Sequence, residues 1–327
     1  MGAALAVWAL LKPLRLVPLL SMAALQLGSA AASAQAAPLR AVEVADRVWL
    51  VQGVSAQGTA ANRNFISNAG FVVTDDGVVV VDALGSPALA EEMLAEIRRI
   101  TPQPVRHLIV THYLADHIYG LQVFKAAGAS ILAHREGRNY VGSDAAKARL
   151  EASRTELAPW VDNKTQLVNA DRWLDGGETQ LHIGSFDFVI RHAGPAHTPE
   201  DLVVWVPRSG ALFAGDLVFR GRVPFVGQAD SQLWIASLDR LIQDRPRLVI
   251  PGHGPVSRAP LVDLETTRDY LVHLRRTMGE AAANLEPFEA AYAKADWSRF
   301  ASMPVFGAVN RINAYNTYLL MEQQALK

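Results

Sequence analysis

Apolar and polar positions alternate in blocks along the chain, and each block predicts an element. Val42 to Gln52 alternates as a strand does. Phe71-Val72-Val73-Thr74, then Asp75-Asp76-Gly77, then Val78-Val79-Val80-Val81 read as a hairpin. Asp-Gly supplies the turn with positive φ, and the branched residues supply both arms. Ser86-Pro87 reads as an N-cap followed by a first-turn proline, and Leu89, Met93, Leu94, Ile97 and Ile100 keep helical spacing up to Pro102. The hairpin pattern recurs in Leu202 to Val206, the turn Pro207-Arg208-Ser209-Gly210, and Ala211 to Asp216. Two hairpins that each end in an aspartate suggest two similar halves. Strand runs with interleaved helices predict an α/β protein in which two sheets pack on each other under flanking helices. Gly53 to Asn64 is small and polar without periodicity, and is read as a flexible loop that can act as a flap. Beyond Pro255, Leu264, Leu271, Leu274 and Met278 mark a long amphipathic helix, and Asn310 to Gln324 predicts another, so residues 256–327 form a helical extension packed on the core.

The first 36 residues follow a different pattern. Lys12 and Arg15 precede the apolar Leu16–Leu27, and small residues follow to Ala34-Gln35-Ala36. This order is that of a cleaved export signal, and the apolar run is shorter than the roughly 20 residues that span a bilayer. The expectation is a periplasmic protein without a stable membrane anchor after cleavage; a permanent anchor is the alternative. Length adds that 327 residues hold one large domain or two small ones. A net charge of −1 gives no electrostatic case for nucleic acid or an anionic membrane as partner. The absence of cysteine excludes disulfides and thiolate ligands, leaving His, Asp and Glu for any coordination.

Such residues occur at the ends of the predicted strands. His112 follows Leu108-Ile109-Val110-Thr111, with Asp116 and His117 close behind. His197 closes the small-residue segment Ala193–Ala196, Asp216 follows Ala214-Gly215, and His253 sits in Pro251-Gly252-His253-Gly254-Pro255 after Leu248-Val249-Ile250. Imidazoles and carboxylates at strand tips can converge on a borderline cation such as Zn²⁺. His107, His134, His182, His192 and His273 lack partners in any pattern and are assigned no function.

In this order the set resembles the metallo-β-lactamase superfamily, whose signature is H-x-H-x-D-H followed by a His, an Asp and a His. One position departs: Leu114 stands where the second His of the signature belongs. The stretches Gly215–Phe219, Arg222–Phe225 and Trp234–Leu238 are similar to periplasmic metallohydrolases associated with sulfur-oxidation and quinoprotein systems. Redox-system proteins of the periplasm are accordingly candidate partners beside a small-molecule substrate. The resemblance implies an αββα four-layer sandwich over residues 37–255 and a metal centre at one sheet edge. On a strand, positions i and i+2 share a face, so His112 and position 114 would address one metal with His197. Asp116, His117 and His253 would address a second, with Asp216 bridging. Leu offers no lone pair, so one tight Zn²⁺ is expected at Asp116, His117, His253 and Asp216 and a weakened site at His112 and His197. Asp82 holds the place of a motif Asp but is given a structural role at its hairpin end. The implied chemistry is hydrolysis of an ester, thioester or lactam by metal-bound hydroxide, with Asp116 catalytic and Arg220 and Arg222 available to an anionic substrate. A degenerate member that only binds a ligand is the alternative, and Leu114 is the feature that favours it.

Overall fold

The computed structural model describes residues 39–325, so the export segment assigned above lies outside the described residues. In chain order the first half comprises β1 (Ala41–Ala45), β2 (Val48–Val51), β3 (Ala69–Thr74), β4 (Gly77–Val81), α1 (Pro87–Ile100), β5 (Val105–Ile109), α2 (Ala115–Ile118), α3 (Leu121–Ala126), β6 (Ser130–His134), α4 (Gly137–Val141), α5 (Asp144–Glu156) and β7 (Arg172–Leu174). The remainder comprises β8 (Glu178–Ile183), β9 (Phe186–His192), β10 (Leu202–Val206), β11 (Ala211–Phe219), α6 (Ser231–Asp244), β12 (Leu248–His253), α7 (Pro260–Ala283), α8 (Phe288–Lys294) and α9 (Phe306–Ala325). The strands form a seven-stranded sheet in the order β1 to β7 and a five-stranded sheet in the order β12-β11-β10-β9-β8.

Strand alternation explains the layering. Val78 and Val80 of β4 pack with Leu89, Met93 and Ile97 of α1 and Phe124 of α3. Val79 and Val81, on the opposite face, pack with Phe188, Ile190, Val204 and Phe213 of the other sheet. That second sheet turns Leu212, Ala214 and Val249 outward onto Trp234 of α6 and Leu271, Leu274 and Met278 of α7. The central strands of each sheet are therefore buried on both faces, giving the αββα sandwich, and this is why β4 is an unbroken apolar run. The two hairpins form in the expected register, with Thr74 opposite Gly77 and Val206 opposite Ala211. The α1 boundaries also agree with the sequence: Ser86 Oγ accepts from Leu89 N, and Thr101 ends the helix.

Residues 256–325 contribute α7, which packs on the outer face of the second sheet, and α8 and α9, which pack on α7. Tyr318 and Val309 of α9 and Phe288 of α8 share one apolar cluster with β11. No helix among the described residues is long and apolar enough to cross a membrane.

One local expectation is made specific and another is corrected. The 53–64 segment lacks strand or helix but is internally bonded: Asn62 Oδ1 accepts from Thr59 N at 2.9 Å and from Asn64 N at 3.1 Å. Arg63 pairs with Glu92 at 2.5 Å, and Trp160 Nε1 donates to Ala60 O at 2.8 Å. Short Asn and Thr side chains substitute for a ladder by bonding nearby backbone, a pattern that hydrophobic periodicity does not register. In addition, β5 ends at Ile109, so His112 and Leu114 lie beyond the strand and Leu114 is the N-cap residue of α2. The i, i+2 argument for their common direction does not apply to them.

Candidate metal centre

Four chain segments meet at the edge where the two sheets join. His112 arrives on the β5–α2 connection and His117 from α2 directly after it, His197 on the β9–β10 connection, Asp216 within β11 and His253 at the end of β12. Asp216 reaches the centre because β11 bulges there. Gly215 adopts φ +51°, and the pairing with β12 shifts between Phe213 and Gly215 and again before Phe219. Gly252 is required opposite it, since a Cβ there would overlap Asp216 Oδ1.

Asp216 is the hub. Its Oδ1 lies 3.2 Å from His117 Nε2, and its Oδ2 lies 3.4 Å from His253 Nε2, 3.5 Å from His197 Nε2 and 3.8 Å from His112 Nε2. Asp116 Oδ2 lies 3.3 Å from His253 Nε2 and 3.7 Å from His117 Nε2. The four histidines and Asp216 are buried.

The imidazoles are oriented from behind. His117 Nδ1 donates to Asp82 Oδ2 at 2.9 Å, and His253 Nδ1 donates to Ile66 O at 2.7 Å. Thr111 Oγ1 donates to Asp82 Oδ2 at 2.7 Å, so it accepts from His112 Nδ1 at 3.0 Å. This network fixes a proton on each Nδ1, so that each Nε2 points inward and offers its lone pair to a cation once it gives up any proton of its own. His197 is held instead by ring edges, with its centroid 5.1 Å from Trp234 and 5.9 Å from Phe219. His253 stacks on the same Phe219 at 5.0 Å. Asn68 fixes the loop beneath His253, its Nδ2 donating to Pro251 O at 2.8 Å and Gly254 O at 2.7 Å.

Burial pushes the His112 imidazole well below its usual range, and the neighbouring His117 pushes the same way. Burial opposes protonation of His117 as well, but Asp216, Asp116 and Asp82 together hold it well above its usual range. Burial would raise Asp216, yet His253 and His117 hold it well below the ordinary carboxylate range.

The six ligand candidates thus converge, although their grouping differs from the expected one. The tightest sets are His112–His117–Asp216 and Asp116–His117–His253, with His117 common to both and His197 in neither. His117 and Asp216 sit centrally, so a partition into two separate ligand sets is not visible in their spacing. Leu114 lines the cleft beside Ala115 and Asp116. The arginines diverge. Arg220 Nε donates to Asp263 Oδ2 at 2.7 Å and its Nη1 to Val256 O, and it does not line the cleft. Arg222 is buried, lines the cleft, donates to Ala56 O at 3.1 Å, and has no carboxylate within ion-pair distance among the described residues. Asp82, Thr111, Ile66 and Asn68 support the ligands through contacts far apart in sequence, which single-sequence spacing cannot reveal.

The donor set suits a divalent cation. His112 Nε2, His117 Nε2, both His197 nitrogens and Asp216 Oδ1 are buried without a hydrogen-bond partner, a costly arrangement unless a ligand satisfies them. Hard carboxylates mixed with imidazoles match zinc and its neighbours.

Comparison with known proteins agrees. The sequence pattern of the metallo-β-lactamase superfamily matches residues 62–253, more than half of the chain. The chain belongs to this superfamily, a class of metal-dependent hydrolases. A linear primary-alkylsulfatase from a Pseudomonas species is 25% identical over 236 residues, covering 61% of this chain and 44% of that protein. A type 2 metallo-β-lactamase from Bacillus cereus is 28% identical over 195 residues, covering 58% of this chain and 68% of that protein. The chain therefore spans less than half the length of the alkylsulfatase. Among solved structures, a metallo-β-lactamase from Pontibacter korlensis gives a TM-score of 0.56 at 23% identity, covering 72% of this chain and 99% of that one. A stereoselective inverting sec-alkylsulfatase from a Pseudomonas species gives 0.64 at 16% identity, covering 86% and 50%. At these identities the structural likeness speaks for the fold alone.

Proposed function

We propose that this protein is a zinc-dependent hydrolase of esters, thioesters or lactams, exported to the periplasm. The observation that carries the proposal is the convergence of inward-facing Nε2 lone pairs and two carboxylates at the floor of a cleft of about 550 Å³. Such a volume lies in the range of small-molecule sites.

His112, Asp116, His117, His197, Asp216 and His253 would hold the metal, tightly at Asp116, His117, His253 and Asp216. A divalent ion there supplies Lewis acidity and lowers the pKa of water toward neutrality. The chain's own groups do the rest. Asp82 and Ile66 O keep His117 and His253 in the ligating tautomer. Asp116, which reaches the cleft, can hold and pass a proton at its carboxylate. The Arg222 guanidinium, without a carboxylate partner among the described residues, gives an anionic substrate a charge partner in a water-poor setting. With no cysteine in the chain, and with carboxylates rather than a nucleophilic hydroxyl at the hub, turnover proceeds by direct attack of water without an acyl-enzyme.

Leu114 favours a second reading, a binding protein that has kept the fold without turnover. A hydrolysis screen of the purified protein, with chelator and with zinc, manganese or iron restored, separates the two. The alkylsulfatase relatives add sulfate esters to its panel. Chelator-sensitive cleavage of any member supports the hydrolase, and Asp116→Asn should then lower kcat strongly. No cleavage with every metal restored makes the binding protein the better reading.

A further inference from the structure

Beyond the metal centre, one wall of the cleft is built by α9, which comes from the C-terminal extension. Ala308, Val309 and Ile312 line it together with Phe225. Phe225 is 41% exposed and Ile312 46% exposed, so two large apolar side chains stand open inside a concavity that continues to Asp116 and His253. Leu114 extends the apolar lining to the edge of the metal ligands. Arg149 and Glu156 also line the cleft but neutralise each other as a pair. Arg222 is then the cleft's cation without a carboxylate partner among the described residues.

This wall is fixed rather than incidental. Asn313 Oδ1 accepts from Val226 N at 2.9 Å, and its Nδ2 donates to Pro224 O at 2.7 Å. Asn316 Nδ2 donates to Gly227 O at 2.8 Å. The 222–227 segment, which carries Arg222 and Phe225, is therefore tied to α9 by buried or half-buried amides. Tyr270 of α7 donates to Asn310 Oδ1 at 2.8 Å and secures the helix from behind. Such satisfied buried polar contacts specify one arrangement of a surface.

We propose that α9 forms a binding wall for a hydrocarbon chain, so that the substrate is an amphiphile. Its alkyl or acyl chain lies on Phe225, Val309 and Ile312, and its hydrolysable, anionic or acyl head lies at Asp116, His253 and Arg222. The proposal rests on the hydrolase reading for the fate of the head, whereas the apolar wall stands on the geometry of α9 and the 222–227 segment tied to it.

Isothermal titration of the full-length, metal-loaded protein with butyrate, hexanoate, octanoate and decanoate, each below its micelle concentration, tests it. Affinity should rise about two- to fourfold per added methylene, as burial of each CH₂ dictates. Ile312→Asp should cut the decanoate-to-butyrate affinity ratio by about tenfold, and Ile312→Thr should cut it by less. Val262→Asp, at a more exposed position on α7 away from the cleft lining, should leave the ratio unchanged. A ratio independent of chain length, or one that Ile312→Asp and Ile312→Thr both leave intact, would overturn the proposal. Hydrolysis supplies a second reading: p-nitrophenyl decanoate should show a lower KM than the acetate, and Ile312→Asp should abolish that difference. Cleavage without chain preference sinks the apolar wall alone. Chain-dependent binding without any cleavage supports the wall and removes the hydrolase reading instead.

Discussion

Asp82→Asn is the sharpest perturbation of the metal centre, because it changes no first-hand ligand and almost no volume. One carboxylate accepts three hydrogen bonds: Thr111 N at 2.7 Å on Oδ1, and Thr111 Oγ1 at 2.7 Å and His117 Nδ1 at 2.9 Å on Oδ2. An amide can place its oxygen at only one of these two positions. If its NH₂ faces His117, the imidazole must accept at Nδ1 and carry its proton on Nε2, where it cannot ligate. If the NH₂ faces Thr111 N instead, a buried donor is left without an acceptor, at a cost of about 1–3 kcal/mol. Losing a ligand's orienting partner typically lowers metal affinity roughly 10–100-fold, or about 1.4–2.7 kcal/mol. His117 belongs to both tight ligand sets, so the loss should affect every bound ion. Competition against a chromogenic zinc chelator measures the affinity, and thermal unfolding of the metal-free protein measures the structural cost, at about 2–4 °C per kcal/mol. Zinc binding should weaken by at least about tenfold, together with a modest fall in Tm. Affinity within twofold of the unmodified protein would show that His117 is not oriented by Asp82, and the tautomer assignment would fall.

Leu114→His should raise zinc stoichiometry toward two, read by metal analysis after desalting; an unchanged value would mean that Leu114 is not what limits the second ion. His134 stacks on His192 with centroids 3.6 Å apart, and burial followed by the charge of His192 pushes its pKa down to about 4. Because the folded value lies below the ordinary 6.5, the unfolded chain binds more protons between these two values, so stability falls as pH drops through that window. His134→Gln should flatten the dependence of Tm on pH between about 6.5 and 4; an unaltered slope would assign the acid sensitivity to other groups.

Much of this architecture was legible because it depends on short-range pattern. The 71–81 and 202–216 hairpins follow from alternation plus turn chemistry, and α1 follows from Ser86, Pro87 and the spacing of Leu89 to Ile100. The candidate ligand set was legible because His112, Asp216 and His253 follow apolar runs, Asp116 and His117 come just behind His112, and the order is that of a known family. What escaped depends on contacts between distant residues. Nothing local marks Asp82 as the partner of His117, which lies 35 positions away, or Asn68 as the clasp of the His253 loop, 183 positions away. The place of Ile312 in the cleft follows from how α9 docks, and its own helical spacing is silent on that. The 53–64 segment was read as flexible because side-chain-to-backbone bonds leave no periodic trace. The position of His112 beyond β5 likewise reflects where the ladder ends, which an apolar run does not fix to the residue.

The central claim is that these buried imidazoles and carboxylates exist to hold a catalytic metal. Its most direct test is elemental analysis of the purified protein after exhaustive desalting, alongside His117→Ala and His253→Ala. Close to one zinc or similar divalent ion per chain is expected in the unmodified protein and little in either variant. A chain that retains no ion after reconstitution, or variants that keep as much as the parent, would contradict it.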